Sequence, residues 1–133
     1  MEGSLRIAVD FDGTIVDHNY PDIGKPLPGA FETLKALSEQ GHKLILWTFR
    51  DGDPLQEAID FCMENGIMFW AVNMSFPKEE FNIYMSRKIN AEVYIDDKNF
   101  GGFPGWDKIY EKLIGAEMRK TPYKKQKKTW FKF

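Results

Sequence analysis

The sequence predicts one α/β domain built on a parallel sheet, because short apolar runs alternate with stretches of helical periodicity. The chain has 133 residues, a length typical of a single domain, and its 43% hydrophobic content is typical of a globular core. Nearly continuous apolar runs indicate strands that are buried on both faces. The alternation therefore implies βαβ units with right-handed crossovers and helices on both faces of the sheet.

Four strands and three helices follow from these patterns. One helix carries Phe31, Leu34 and Leu37 on one face and stops at Gly41. A weak stripe of apolar residues over 78–87 leaves that segment ambiguous. The strands are predicted within residues 5–9, 42–48, 67–72 and 91–96, and the helices within 28–41, 53–66 and 106–115.

The charge of the chain is unevenly distributed. Residues 115–133 contain seven Lys or Arg and one acid, which leaves 11 basic and 19 acidic residues in the rest of the chain. We therefore predict a core over 1–114 and a basic tail over 115–133. A solvated tail, or a cover over an acidic surface, is favoured over an arm for nucleic acid or anionic membrane, since no RNA-binding motif accompanies it.

Cysteine usage and hydropathy bear on location. Cys62 is the only cysteine, so no internal disulfide can form, and a reducing, cytoplasmic setting fits. No apolar run approaches the roughly 20 residues of a membrane span, and the first residues lack the layout of a signal peptide. We expect a cytoplasmic protein without a membrane span.

Acidic residues end two of the predicted strands. Asp10 and Asp12 come after the first strand, and Asp96 and Asp97 after the fourth. In parallel sheets the carboxyl ends of the strands meet at one edge, where ligands bind. Two like charges about 4 Å apart repel by about 4 kcal/mol at an effective dielectric constant of 20, so such a cluster takes up a proton or a cation. Oxygen ligands without a His or Cys set favour Mg²⁺.

These residues resemble the motifs of a known family. In this order, "DFDGT", "LILWT", Lys88 and "VYIDD" look like the four motifs of the haloacid dehalogenase superfamily, and more narrowly of its small capless phosphatases. The resemblance spans Ile7 to Asp97. It implies a three-layer, Rossmann-like parallel sheet with strand order around 4-1-2-3, helices on both faces and no cap domain.

The resemblance also implies roles for the acids. Asp10 would be the nucleophile that forms an aspartyl-phosphate, and Asp12 the general acid and base. The carboxylates of Asp10 and Asp96, with the backbone carbonyl of Asp12, would hold Mg²⁺. Asp97 would lie in or just behind the metal shell.

Other positions would serve the phosphate. Gly13 lets the chain turn away sharply, while the Thr48 hydroxyl and the Phe49 amide suit phosphoryl oxygens. Lys88 would set a positive charge against the nucleophile, with Arg87 as a close rival.

The gaps where family members insert caps are short here. Residues 15–29 and 49–52 cannot hold a domain, so we expect an open site. Arg50 and Asn73 are candidates for contact with the leaving group. An open site accepts either a phosphorylated small molecule or an exposed phosphate on a larger substrate, or a neighbouring subunit of a homo-oligomer covers it.

The sequence thus predicts a Mg²⁺-dependent phosphohydrolase acting on phosphate monoesters. A non-catalytic phosphate-binding or scaffolding domain and a phosphotransferase of the same fold remain as alternatives. A receiver domain is less favoured, because the end of the third strand offers Asn73 where that class has an acid.

Overall fold

Residues 3–115 are described by a computed structural model, and they form a four-stranded sheet with three helices. All seven predicted elements are present and shorter than predicted, and the second helix begins one residue earlier than expected, at Gly52. The basic tail lies outside the described residues apart from Gly115. The strands are β1 (Arg6–Val9), β2 (Lys43–Leu46), β3 (Ala71–Val72) and β4 (Val93–Ile95), and the helices are α1 (Ala30–Glu39), α2 (Gly52–Glu64) and α3 (Trp106–Ile114).

The sheet is parallel throughout, as predicted. Strand β1 pairs with β2 on one side and with β4 on the other, and β2 pairs with β3. The order is β3-β2-β1-β4, which runs β4-β1-β2-β3 when read from the opposite edge. Central β1 therefore brings its carboxyl end beside the carboxyl ends of β2 and β4.

The helices occupy one face of this sheet, and the prediction of helices on both faces is wrong for residues 3–115. Right-handed crossovers that step from β1 to β2 to β3 in one direction place α1 and α2 on the same side. α3 joins them, packing against α1. One buried cluster unites the β1 residues Ile7 and Val9 with side chains of all three helices: Phe31, Leu34, Leu37, Ala58, Cys62, Trp106 and Ile109.

The opposite face is covered by irregular chain. Ala8, Ile45 and Ala71 pack there against Ile89, which belongs to the connection between β3 and β4. No helix forms over 78–87, where the sequence pattern was ambiguous. Tyr84 of the weak stripe is 91% exposed, so this side chain does not contribute to the core.

One side chain of α3 fixes the loop that follows β1. Trp106 is 2% exposed, and its indole Nε1 donates a hydrogen bond of 2.7 Å to the carbonyl oxygen of Thr14. The ring of Phe103 contacts Trp106 edge-on, with ring centroids 5.8 Å apart. The buried loop carbonyl is thereby satisfied, and the last helix is tied to the carboxyl edge of β1.

We predict that Trp106→Phe destabilises the protein by at least about 1–3 kcal/mol, because the buried Thr14 carbonyl loses its donor. Urea unfolding should show a lower midpoint with an unchanged m value. Tyr110→Phe, on the same helix, is the matched control and should leave the midpoint nearly unchanged. Equal midpoints for Trp106→Phe and wild type would contradict this role.

None of the three helices in the described part of the chain has the length and apolar character that crossing a membrane requires.

Candidate functional site

A pocket of about 310 Å³ opens at the carboxyl edge of the sheet. Its walls come from the loops that follow β1, β2 and β4, which is where ligands bind in open α/β sheets. It is lined by Asp10, Asp12, His18, Tyr20, Thr48, Phe49, Arg50, Asp96, Asp97 and Lys98.

All four predicted acids line this pocket, and three of them form a cluster, called the triad below. Asp10, Asp96 and Asp97 each offer a carboxylate oxygen, and these oxygens lie within 4.8 Å of one another. All three side chains are half-buried. Carboxylate oxygens are the ligands that hard divalent cations prefer, so the triad could hold a metal ion.

The pKa values of Asp10 and Asp97 are both shifted by burial and by the neighbouring groups of the triad. Burial raises the pKa of Asp10 to about 8, and a hydrogen bond with Asp97 and the charge of Asp96 add to the effect. Burial also opposes ionisation of Asp97, but hydrogen bonds with His18, Asp10 and Asp96 outweigh it and keep its pKa below the usual range. Without a cation, burial and the neighbouring acids therefore favour the protonated form of Asp10.

Thr14, the last residue of "DFDGT", links the two acidic segments. Its buried hydroxyl lies 3.1 Å from Asp10 Oδ2 and 3.4 Å from Asp97 Oδ1, and it accepts the Asp97 amide at 3.0 Å. This residue was not among the predicted site residues, although it lies within the motif. Its hydroxyl fixes the loop after β4 against the loop after β1.

The absence of a side chain at Gly13 leaves room for His18 to contact Asp97 of the triad. Its φ is +83°, and a Cβ built there would lie 2.2 Å from His18 Nε2 and 2.4 Å from Asp97 Oδ2. His18 and Asp97 form a pair at 2.9 Å across this space. The sharp turn predicted for Gly13 is present, and a side chain at this position would clash with the His18–Asp97 pair.

Asp12 differs from the other acids because its carboxylate binds an arginine. Arg50 Nε donates to Asp12 Oδ2 and Arg50 Nη2 to Asp12 Oδ1, both at 2.8 Å. The remaining guanidinium hydrogens reach the carbonyl oxygens of Pro21, Asp22 and Pro54. All five donors of the guanidinium are thus used within the protein.

Arg50 is therefore not a leaving-group contact, which corrects the sequence-based prediction. Its side chain is 1% exposed and lies between two rings, with Cζ 5.0 Å from the centroid of Phe11 and 5.1 Å from that of Tyr20. Its hydrogen bond to Asp12 raises the pKa of Arg50. The guanidinium fixes Asp12 and also joins the loop over 17–25 to the start of α2. A hydrogen bond from the Asp17 amide to the Lys25 carbonyl oxygen closes this loop.

Thr48 lies at the end of β2 in the expected place. Its amide donates to Asn73 Oδ1 at 2.8 Å, and its Oγ1 accepts the Arg50 amide at 3.1 Å, which leaves its hydroxyl hydrogen for a ligand. The Phe49 amide makes no hydrogen bond to any residue within 3–115. Asn73 does not line the pocket; its side-chain oxygen instead orients Thr48.

The structure does not bring Lys88 into the pocket. Its ammonium lies over the ring of Tyr94, 5.7 Å from the centroid, because the covering segment carries Lys88 along the face opposite the helices. Arg87 lies over Phe81 instead. Lys98 lines the pocket instead. It comes directly after Asp96 and Asp97, within the "VYIDDKN" motif.

Within residues 3–115 no cap domain covers the pocket. The loop over 17–25 contributes His18 and Tyr20 to the wall, and only residues 49–51 separate Thr48 from α2. Tyr20 was not predicted as a site residue, because a lone aromatic in a loop carries no chemical signal.

Fold and site together define an α/β protein with a carboxylate cluster at the carboxyl edge of its parallel sheet. The chain is similar to a solved structure of a conserved protein from Bacteroides thetaiotaomicron, at 47% sequence identity and a TM-score of 0.79, over 87% of this chain and 94% of that chain. It belongs to the same family as that protein. No protein-family model and no curated protein matches it.

We predict that Arg50→Ala destabilises the protein by about 3–5 kcal/mol, because it leaves the Asp12 carboxylate and three carbonyls without their donor. Chemical denaturation provides the measurement. Arg6→Ala removes the exposed ion pair with Glu92 and is the matched control, with a free energy of unfolding close to wild type. Equal losses in the two variants would contradict the role of Arg50.

A second prediction concerns pH. Between the ordinary Asp pKa of 3.8 and about 8, the folded protein binds more protons at Asp10 than the unfolded chain does. Stability without metal therefore falls as the pH rises through this window. The melting temperature in EDTA should decline from pH 5 to pH 8 in wild type and decline less in Asp10→Asn. Asp53→Asn, at an exposed position on α2, should keep the wild-type slope; parallel slopes in all three proteins would overturn the assignment.

Proposed function

We propose that this protein is a Mg²⁺-dependent phosphohydrolase of the haloacid dehalogenase type, which cleaves phosphate monoesters through an aspartyl-phosphate. The observation that carries the proposal is the convergence of Asp10, Asp96 and Asp97 beside Thr48 at the carboxyl edge of the sheet. A nucleophile, a cation-binding cluster and a hydroxyl donor are the groups that phosphoryl transfer requires.

The triad is the place for the cation. Asp10 and Asp96, with the Asp12 carbonyl and with Asp97 in or beside the shell, would hold Mg²⁺, which fits a donor set made only of oxygen atoms. The cation would supply positive charge to the phosphoryl oxygens and would allow Asp10 to ionise at neutral pH.

Asp10 acts as the nucleophile in this scheme. One of its carboxylate oxygens attacks phosphorus in line, the P–O bond to the leaving group breaks, and an aspartyl-phosphate remains. Thr14 donates to Oδ2 of Asp10 and so orients the carboxylate for the attack. Water then attacks the aspartyl-phosphate, which releases phosphate and regenerates Asp10.

Asp12 moves the protons in both steps. It protonates the departing alkoxide and afterwards removes a proton from the attacking water. Both of its oxygens accept from Arg50 in this structure, so Asp12 must turn at least one oxygen away from the guanidinium and take up a proton from solvent before the first step. Arg50 thus sets the resting position of the acid and base.

Thr48 and Lys98 serve the transferred group. The Thr48 hydroxyl and the Phe49 amide offer donors to phosphoryl oxygens, and Lys98 offers the positive charge that the family resemblance assigned to Lys88. Such donors stabilise charge that develops in the transition state.

We predict that Asp10→Asn abolishes turnover, because the attacking oxygen is lost, and that EDTA abolishes it in wild type. Asp12→Asn should slow hydrolysis of alkyl phosphates by about 10²–10⁴-fold. With a nitrophenyl ester, whose leaving group needs little protonation, Asp12→Asn should release up to one equivalent of nitrophenol in a burst and retain phosphate on Asp10. Rapid mixing and intact-mass analysis provide the measurement.

Asp53→Asn is the control and should turn over like wild type. A phosphorylated species in Asp10→Asn, or equal first-step rates in the Asp10 and Asp12 variants, would show that the roles are misassigned. Binding of phosphate with no turnover of any ester would favour the non-catalytic alternative, and transfer to added alcohols in preference to water would favour the phosphotransferase.

A further inference from the structure

Two aromatic rings lie exposed on the wall of the pocket. Phe49 is fully exposed at 107%, Tyr20 is 57% exposed, and both line the pocket with the acidic triad. Single exposed aromatics are ordinary on protein surfaces. Two of them on the wall of one small pocket, beside its charged groups, are a feature that the proposed reaction does not use.

The ring of Tyr20 is held in place from beneath. It lies over the guanidinium of Arg50, with 5.1 Å from Cζ to the ring centroid, and Arg50 lies in turn over Phe11. Because Arg50 is buried and all five of its donors are bonded, this stack has a rigid base. One face of Tyr20 is thus occupied, and its exposed part is available to a ligand.

The backbone on either side of Phe49 is held by hydrogen bonds. The amides on either side of it belong to Thr48 and Arg50, and they are bonded to Asn73 Oδ1 and Thr48 Oγ1. The ring therefore follows directly after the residue that offers its hydroxyl to phosphate. A group attached to that phosphate would lie within reach of Phe49.

The pocket has a charged end and an apolar end. The triad and Lys98 suit a phosphate with its cation, whereas Phe49 and Tyr20 offer flat apolar surface. The volume of about 310 Å³ lies at the small end of ligand pockets, so the leaving group is expected to be small.

We propose that Phe49 and Tyr20 form an aromatic shelf that selects phosphate monoesters whose leaving group carries a flat aromatic ring. This inference rests on the proposed function, since it names the substrate class of the same site. Aromatic contacts of this kind contribute beyond the area that they bury, which makes the shelf a determinant of specificity.

The test compares benzyl phosphate with propyl phosphate, two alkyl esters of which only the first carries a ring. Phe49→Ala should lower kcat/KM for benzyl phosphate by about 3- to 10-fold more than it lowers kcat/KM for propyl phosphate. For each ester, the ratio of kcat/KM in the variant to kcat/KM in wild type is independent of the intrinsic reactivity of that ester. Phe49→Tyr should restore the benzyl preference. Phe100→Ala is the matched control, because Phe100 is equally exposed at 107% but does not line the pocket.

Non-hydrolysable analogues separate this inference from the proposed function. Calorimetry with benzylphosphonate and propylphosphonate, in the presence of Mg²⁺, measures binding without turnover. A benzyl preference that Phe49→Ala removes would support the shelf even if no ester were hydrolysed, an outcome that would overturn the proposed function alone. Equal binding of the two phosphonates to wild type, or equal losses on both esters in Phe49→Ala, would overturn the shelf.

Discussion

The parallel pairing of β1 with both of its neighbours is the constraint on which the site depends. Val9 is in register with Leu46 on one side and with Ile95 on the other. The chain leaves the sheet directly after these residues, so Asp10 and Asp96 emerge side by side. Apolar burial drives this register, since a slip of one residue would turn the core face of β1 away from the helices. Hydrophobic packing thus forces like charges together.

The four acids of this edge separate into two electrostatic situations. Asp12 is compensated within the protein, because a buried guanidinium occupies both of its oxygens. Among residues 3–115, Asp10, Asp96 and Asp97 have hydroxyl and imidazole partners but no buried cationic side chain, and the raised pKa of Asp10 reflects this imbalance. Residues 3–115 therefore supply a buried counter-ion to Asp12 but none to the triad.

The sequence predicted the elements and the acidic cluster because both depend on local patterns. Apolar runs, helical periodicity and the rule for carboxyl edges of parallel sheets were enough to bring Asp10, Asp96 and Asp97 together. Arg50 could not be placed in this way. Its burial depends on carbonyl groups from two other segments and on two aromatic rings, none of which its sequence neighbourhood reveals.

Lys88 and the second layer of helices show a related limit. Lysine carries no pattern that tells a site residue from a solvated one, and only tertiary structure places Lys88 on Tyr94 and Lys98 in the pocket. Covering the second face of the sheet requires apolar surface, which irregular chain around Ile89 supplies as well as a helix would. Periodicity cannot distinguish these two solutions.

The bonds from Arg50 to the carbonyl oxygens of Pro21 and Asp22 have a consequence for protein engineering. The loop over 17–25 carries Tyr20 and is the obvious segment to exchange when a new specificity is wanted. Backbone carbonyls are present in every sequence, but their positions change with loop length and conformation. Exchanging this loop would therefore also change the position of Arg50, which binds Asp12. The loop over 17–25 and residue 50 should be redesigned together.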